Sequence, residues 1–289
     1  MLLSNQTQLQ KAIVEISPDS PLYPKEWLTL KTPPICYAIG NTALLKMKKF
    51  CIVGSRRTPV NALKLGEKIA ENLSSAFVIV TGTADGGDTA AIEGGLKTGK
   101  IICVLAGGFS QIPQSNLPLL ERVAQEGLLL SPHPFETEVR AFSYGYRNQL
   151  LAMLGEGVLL LGAGEKSGAL MTVEYAKAQN KKVFAIPYPP NSSAGVGCNA
   201  AIKQGGFLVE NVEDIASQFS MDLTKAKPQV SLSVDEEKIY TALKDLTEGH
   251  INEISERSSV PPFKARAILS SLEIKGLVVS LGGNRYSVV

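Results

Sequence analysis

The chain has 289 residues and a mass of 30.9 kDa, with 44% hydrophobic and 19% charged residues. This balance can fill the core of one large domain and one small domain, and it excludes an intrinsically disordered protein. Twenty-nine lysines and arginines stand against 27 acidic residues, so the net charge is +2. Any binding of a polyanion must therefore depend on a local basic patch, because the field of the whole molecule is nearly neutral.

The cysteines and the N-terminus indicate where the protein works. Cys36, Cys51, Cys103 and Cys198 have no CxxC or metal-ligand spacing, and we interpret them as buried reduced thiols. No basic region followed by a long apolar stretch opens the chain, and no apolar segment reaches 18 residues. We expect a cytoplasmic protein that has no metal site and no contact with a membrane.

Residues 1–45 mix short apolar pieces with five prolines, which is typical of an arm that packs on a larger body and caps one edge of it. From residue 46 to 222, apolar runs alternate with segments of helical spacing, which indicates βαβ units. The predicted strands are FCIVGS at 50–55, FVIVTG at 77–82, IICVLAGG at 101–108, GLLLS at 127–131, VLLLGA at 158–163, VFAIP at 183–187 and FLV at 207–209. The sequence therefore predicts an extended Rossmann-like α/β domain, a mostly parallel sheet flanked by helices, closed by a short helix at 211–219.

Nearly every predicted strand ends in Gly, Ser, Ala or Pro. The carboxyl ends of parallel strands meet at one edge of the sheet, and ligands bind in the crevice outside that edge. The loops at 54–57, 81–88, 107–116 and 162–168 should therefore form the site.

The first of these loops suggests phosphate chemistry. The buried run FCIV leads into Gly54, Ser55, Arg56 and Arg57, where small residues permit a tight turn into a helix and the arginines supply charge. The glycines of the dinucleotide fingerprint are absent, and Leu160 replaces the glycine that a phosphate loop ending at 164–168 would need. We therefore expect a bound phosphate but no NAD, FAD or ATP as cofactor.

Two further features could assist an anion. Ser167 and Gly168 open a helix, and they are either phosphate ligands or a plain helix cap. Arg147 and Asn148, near the start of another helix, could hold a phosphate or stack on a base, and a surface salt bridge is the competing explanation.

Hydrolytic groups are scarce. The two histidines are His133, in a loop between prolines, and His250, in the C-terminal region. No Ser-His-Asp set or carboxylate pair is evident, so we assign no catalytic residue and predict binding without enzymatic activity.

The last part of the chain has a different pattern. Residues 223–234 are expected to be a linker, and 235–289 give three helices, at 235–246, 251–257 and 262–275, followed by a hairpin. This order is typical of a winged helix, which commonly reads DNA with its third helix. That helix carries Lys264, Arg266 and Lys275 but also Glu273, so DNA contact and protein docking both remain open.

Several motifs occur together in the order and spacing of one family. They are VGSR, VTGTADGGDTAA, GG-x-IPQSN, FSYGYRNQ, SGALMTVEYA, VFAIP and G-x-G-CN-x-x-I-x-x-GG. Over roughly residues 22–219 the chain resembles the DNA-processing protein A family (DprA, also called Smf), and the C-terminal module is similar to the extra domain of many members.

The resemblance implies a homodimer that binds single-stranded DNA, protects it and loads a RecA-type recombinase in DNA uptake and recombination, with no established catalysis. Transferred by motif position, the DNA-phosphate contacts are Gly54, Ser55, Arg56, Arg57, Gly82, Arg147, Asn148, Ser167 and Gly168. The sequence departs from the family at Asp85, Ile92, Gln114 and Gln149, which occupy positions of basic residues or histidine. Each lost cation removes about one phosphate contact, so the pocket should be less basic than is usual.

Two alternatives follow from the same residues. A less basic pocket with Ser167, Gly168 and Glu174 would suit a nucleotide sensor or a nucleoside-phosphate-cleaving enzyme in which Glu174 aids the chemistry. The other alternative is a transcription factor whose winged helix binds duplex DNA.

Overall fold

The computed structural model describes residues 2–219, 221 and 232–288, and the chain divides into a larger unit, residues 1–226, and a smaller unit, residues 227–289. Most of the predicted linker at 223–234 therefore lies outside the described residues. None of the described helices is long and apolar enough to cross a bilayer.

The larger unit contains one nine-stranded sheet in the order β1-β2-β6-β5-β4-β3-β7-β8-β9. From β6 to β9 all neighbours pair in parallel, and β1 and β2 are added antiparallel at one end. The strands are β1 Val14–Ile16, β2 Cys36–Gly40, β3 Lys49–Val53, β4 Val78–Thr81, β5 Ile101–Val104, β6 Leu128–Ser131, β7 Gly157–Leu160, β8 Lys182–Ala185 and β9 Phe207–Leu208. This architecture confirms the predicted α/β class and its mostly parallel sheet.

The central strands are buried on both faces, which explains why their sequences are continuous apolar runs. Helices α2, α3, α4 and α8 cover one face, and α5, α6 and α7 cover the other, each group packed in its own hydrophobic cluster. The helices are α1 Gln6–Ala12, α2 Val60–Leu73, α3 Gly87–Leu96, α4 Leu117–Glu126, α5 Ala141–Leu154, α6 Ala169–Ala178, α7 Val196–Lys203 and α8 Val212–Gln218, with 3-10 turns at Lys25–Thr29, Thr42–Lys46, Phe109–Gln111 and Gln114–Asn116. All four cysteines are buried free thiols, as predicted.

The N-terminal residues form part of the sheet domain, which the sequence did not reveal. Strand β2 pairs with β6, and Trp27 is fully buried and donates its indole N–H to the Leu150 carbonyl of α5 at 3.1 Å. Lys49, at the start of β3, is buried and contacts Glu26 at 2.8 Å. This segment is therefore an integral layer over α5.

The strand order reverses between β3 and β7. From β3 the chain proceeds in one direction through β4, β5 and β6, and after α5 it returns to β7 and proceeds in the other direction. In open α/β sheets, a crevice forms at the carboxyl ends of the strands that flank such a switch point. The fold therefore places an opening beside Val53 and Leu161.

The smaller unit has the winged-helix order. Its elements are α9 Val234–Leu246, β10 Glu248–His250, α10 Ile251–Ser258, α11 Pro262–Ile274, β11 Val278–Gly282 and β12 Arg285–Val288. Strand β10, which the sequence reading missed, pairs with β12 and completes a three-stranded sheet. Ile239, Leu243, Ile254, Leu269 and Leu272 form the centre of its separate core.

Replacing Trp27 tests whether the N-terminal segment is integral. We expect Trp27→Ala to lower the free energy of unfolding by about 3–5 kcal/mol, because it removes a buried ring and leaves a cavity over α5. Leu28→Ala, at a neighbouring side chain that is 47% exposed, should cost less than about 1 kcal/mol. Urea unfolding followed by far-UV circular dichroism measures both values, and equal costs would show that the segment is peripheral.

Candidate nucleic-acid interface

A cavity of about 680 Å³ opens at the carboxyl ends of β3 and β7. Five stretches of chain form its walls: the loop after β3, the segment from the loop after β4 into α3, the middle of α5, the segment from β7 into α6 and the loop between β8 and α7. The lining residues are 53–57, Ala84, Asp88, Tyr144, Arg147, Asn148, Leu151, 164–169, Thr172, Ser193 and Ala194. The opening therefore lies at the switch point that the topology defines.

The loop after β3 has a fixed backbone. The Ser55 N–H donates to the Gly162 carbonyl at 2.8 Å, and the Ser55 carbonyl accepts the Thr58 hydroxyl at 2.8 Å. Gly54 lies against Gly87, where a Cβ atom on Gly87 would stand 2.3 Å from the Gly54 Cα. Only glycine fits this contact between the two loops, so the loops after β3 and β4 are held together.

The expected tight turn into a helix at this loop was wrong. Helix α2 begins only at Val60, after Pro59, and its first turn does not line the cavity. The Ser55 amide is bound to Gly162, and the Arg57 amide donates to the Ser55 hydroxyl at 3.2 Å. The loop therefore contributes side chains, above all Arg56 and Arg57, rather than a helix N-terminus.

A buried ion pair forms the floor of the cavity. Arg147 on α5 and Asp88 on α3 are almost fully buried, and Arg147 Nη1 lies 3.6 Å from Asp88 Oδ2. The Ala84 N–H donates to the same carboxylate oxygen at 3.1 Å. Burial raises the pKa of Asp88, and the Arg147 guanidinium and the Ala84 and Gly54 amides act in the opposite direction. The aspartate thus neutralises the arginine in part and fixes its position.

Gly82 lies directly against this pair. A Cβ atom at position 82 would stand 1.5 Å from Arg147 Nη1 and 2.4 Å from Asp88 Oδ2. Any side chain there would displace the guanidinium. The role of Gly82 is therefore to leave room for the arginine, and it does not itself line the cavity.

Several buried polar atoms of the cavity wall have no hydrogen-bond partner among the residues that the structure describes. Nε and Nη1 of Arg147 and the hydroxyl of Thr172 lack one, although all three atoms are inaccessible to solvent. Buried polar groups are nearly always hydrogen-bonded, because an unpaired donor costs about 1–3 kcal/mol. The guanidinium and the hydroxyl are therefore incompletely hydrogen-bonded beneath the surface of the cavity.

The opposite wall is the start of α6. Gly168 is the residue before Ala169, and Asn148 donates its side-chain amide to the Gly168 carbonyl at 3.0 Å. The Ser167 hydroxyl accepts weakly from the Ala169 N–H at 3.4 Å. Asn148 therefore positions the turn, and the positive end of the helix dipole faces the cavity.

Charge at the mouth is positive. Arg56 and Arg57 are exposed there, and Lys166 and Glu165 line the same opening. With the buried pair included, four cationic and two anionic side chains line the cavity. Tyr144, which is 44% exposed, adds an aromatic ring to the wall. The surroundings are thus basic and partly aromatic.

The structure brings together most residues that the sequence singled out. Eight of the nine line one cavity, and Gly82 supports it from beneath Arg147. The binding role of each residue remains a prediction. Arg147 occupies the middle of α5 rather than its start, because the helix begins at Ala141.

The loop at 107–116 was wrongly expected at the site. Gly108 packs under the chain at 134–135, where a Cβ atom would stand 2.1 Å from the Phe135 carbonyl oxygen, and its N–H donates to the Thr137 carbonyl. Within this loop, Asn116 reaches towards the site and donates to the Thr83 carbonyl at 3.2 Å. The loop therefore folds over the neighbouring end of the sheet.

The departures from the family pattern lie outside the cavity lining. Asp85, Gln114 and Gln149 do not line it, and Ile92 is fully buried in the core cluster beneath α3. The residue at position 92 is therefore a packing residue in this chain.

The candidate groups for hydrolysis are also outside the cavity. His133 packs its ring against Tyr146 at 5.8 Å, and burial lowers its pKa. His250 caps α10 by accepting the Asn252 N–H at 3.3 Å. Glu174 is 68% exposed and lies 3.5 Å from Lys177. The structure therefore gives Glu174 no place in chemistry at this site.

The predicted contacts did not include Asp88, Tyr144, Lys166 or Thr172, all of which line the cavity, although Asp88 and Lys166 lie in the predicted site loops at 81–88 and 162–168. Asp88 follows Gly86 and Gly87 in the predicted site loop at 81–88. The signal that could have identified it is a carboxylate expected close to the loop that carries Arg56 and Arg57. No pattern in the sequence would have shown that Tyr144 and Thr172 face the same cavity.

The basic side chains of the winged helix are largely occupied. Lys264 lies 2.5 Å from Asp235, and Lys275 lies 2.8 Å from Glu236. Hydrogen bonds from Lys275, Ser233 and Ser271 lower the pKa of Glu236 to about 2. Arg266 donates to Asn284 at 2.8 Å. These contacts reduce the charge that α11 can offer to DNA.

Replacing the buried arginine tests the ion pair. We expect Arg147→Met to lower the free energy of unfolding by about 3–5 kcal/mol at neutral pH, because it leaves the Asp88 carboxylate buried without its cation. The pKa of Asp88 would then rise further above its unfolded value, so the destabilisation should shrink as pH falls towards that unfolded value.

The control is the double variant Asp88→Asn/Arg147→Met, which has no buried charge to compensate. Urea unfolding across a pH series should show that the double variant recovers part of the loss at neutral pH. The difference in unfolding free energy between the single and the double variant should shrink as pH falls and the lone Asp88 takes up a proton. If the loss of unfolding free energy in Arg147→Met is independent of pH, the coupling between Asp88 and Arg147 is contradicted.

The cavity and fold can be compared with known proteins. The family model described as DNA recombination-mediator protein A matches residues 15–220, and the DprA winged helix domain model matches residues 224–284. The putative DNA processing protein DprA of Mycobacterium tuberculosis is 30% identical over 262 residues, which cover 85% of this chain. The chain spans 66% of the length of that relative.

Two solved structures are similar. The DprA of Streptococcus pneumoniae superposes with a TM-score of 0.67 at 30% identity, covering 74% of this chain and 78% of that one. The DprA of Helicobacter pylori, solved to describe its single-stranded DNA binding mode, gives a TM-score of 0.66 at 28% identity, covering 72% of this chain and 95% of that one. With a family model that matches most of its length, this chain belongs to the DNA recombination-mediator protein A family.

Proposed function

We propose that this protein binds single-stranded DNA in the cavity at the carboxyl ends of β3 and β7. The observation that supports this most is the convergence of exposed guanidinium groups, Arg56 and Arg57, with the buried and incompletely hydrogen-bonded Arg147. Guanidinium groups bind phosphate oxygens bidentately and also stack on bases. The similarity to the Helicobacter pylori protein, which was described in terms of its single-stranded DNA binding mode, supports the same ligand.

Each part of the cavity suits a part of a nucleotide strand. Arg56, Arg57 and Lys166 at the mouth would contact phosphates, and Tyr144 offers a ring on which a base can stack. Stacking tolerates any base, because every base has a π-face. Together these contacts would give binding with little dependence on sequence.

The cellular role that fits this ligand is that of a recombination mediator. In this role the protein protects single-stranded DNA, acts in DNA uptake and recombination in the cytoplasm as a homodimer, and loads a RecA-type recombinase. It is proposed to do so without catalysis. Family membership supports the general role, whereas the recombinase, the dimer and the absence of chemistry are our expectations.

A small nucleotide is the rival ligand. The volume of about 680 Å³ lies within the roughly 300–1,000 Å³ range of small-molecule sites, and the buried donors would suit a compact ligand. Cleavage of that nucleotide loses support, because Glu174 lies outside the cavity. The alternative function that remains is a nucleotide sensor that catalyses no reaction.

Titration of a fluorescently labelled oligonucleotide tests the proposal. We expect Arg56→Ala to weaken binding roughly tenfold, because it removes a charge-assisted phosphate contact. The slope of log affinity against log salt should fall by about 0.7 in magnitude for the one lost contact. Arg122→Ala is the matched control, since Arg122 is exposed on α4 and paired with Glu93, outside the cavity. Equal affinities of the two variants would contradict the assignment.

Competition separates the two ligands. Under our proposal, unlabelled oligonucleotide displaces the label at far lower concentration than any mononucleotide. A mononucleotide that displaces it as effectively as the oligonucleotide would favour the sensor.

A further inference from the structure

The exposed face of α11 has an unusual composition for a helix that would read DNA. Phe263 is 82% exposed and Ile274 is 89% exposed, and Ala267 and Ser270 between them are also exposed. These four residues, which we call the α11 seam, follow the spacing of four, three and four residues. That is the alternation of a coiled-coil contact stripe.

The α11 seam lies opposite the domain core. Ala265, Leu269 and Leu272 face the core and are fully buried. At 100° per residue, the seam lies about half a turn away from these three positions. Within residues 232–288, nothing therefore covers its two large apolar side chains.

Charge argues against duplex DNA as the occupant of this face. Within residues 232–288, seven lysines and arginines stand against eight acidic residues. Five of the seven cations are paired with carboxylates of the same module, Lys264 with Asp235 and Lys275 with Glu236 among them. Nucleic-acid affinity depends on cations available to phosphates, and this module has few.

We propose that the α11 seam binds the α11 seam of a second copy of this chain, with the two helices antiparallel about a two-fold axis. In that register Phe263 of each copy meets Ile274 of the other, and Ala267 meets Ser270. The small residues lie at the centre, where they permit close approach, and the large apolar residues lie at the ends. The face is therefore complementary to itself, as a two-fold contact requires.

Charge complementarity selects the antiparallel arrangement. Arg266 and Glu273 lie on the same flank of the seam, seven residues apart. Antiparallel pairing sets Arg266 of one copy beside Glu273 of the other, twice by symmetry, whereas parallel pairing leaves both without a charged partner. Contacts with the β11–β12 hairpin already orient both side chains. Arg266 donates to Asn284, and the Ser280 N–H donates to Glu273 at 3.2 Å.

The contact is small. Four side chains from each copy bury less than the roughly 1,200 Å² of total surface that a stable interface needs. It would therefore hold weakly by itself and form when two copies are already close together, as on one strand of DNA, because proximity raises the effective concentration.

Site-directed disulfide formation in the full chain tests the register. Ala267→Cys and Ser270→Cys are prepared separately. The four native cysteines are buried, so they should not form crosslinks themselves. Under mild oxidation at high protein concentration, an equimolar mixture should give roughly tenfold more crosslinked dimer than either variant alone, because only unlike pairs bring the thiols together.

Adding Ile274→Glu to both cysteine variants should abolish most of the crosslinking. Val234→Glu is the matched control, because Val234 is an exposed apolar residue of the same module outside α11 and should leave the yield unchanged. Circular dichroism checks that both variants stay folded. A mixture that crosslinks no better than the single variants, or equal yields with the two glutamate substitutions, would overturn the proposal.

Discussion

The candidate site depends on one buried ion pair. Arg147 and Asp88 come from helices on opposite faces of the sheet and meet over Gly82, where a side chain of any size would separate them. Asp88 pairs with Nη1 and holds the guanidinium in place, and neither Nη1 nor Nε has a hydrogen-bond partner among the described residues. A preorganised cation that keeps 8% of its side-chain surface exposed therefore lies at the floor of the cavity.

The topology explains why this pair lies at the bottom of an opening. The strand order reverses between β3 and β7, so the loops that leave these strands diverge and expose the floor between them. Charge is then arranged at two levels, with a buried guanidinium below and the exposed Arg56, Arg57 and Lys166 at the mouth. Such an arrangement favours a ligand that presents phosphates outside the cavity and inserts another part of itself into it.

Much of this organisation could be predicted from sequence, because strands buried on both faces read as continuous apolar runs and their ends mark the binding edge. The N-terminal strands β1 and β2 could not be predicted, because they are short and lie among prolines. The loop at 107–116 also resembled a site loop, but Gly108 packs it against the Phe135 carbonyl. The partnership of Arg147 with Asp88 joins residues 59 positions apart, which no local pattern could reveal.

The central claim is that single-stranded DNA occupies the cavity between β3 and β7. Amide hydrogen exchange of the full chain, with and without a saturating oligonucleotide, tests it most directly. Our account predicts that the oligonucleotide slows exchange in peptides covering residues 54–57, 141–148 and 164–170. Protection confined to residues 232–288, with no change around the cavity, would contradict it.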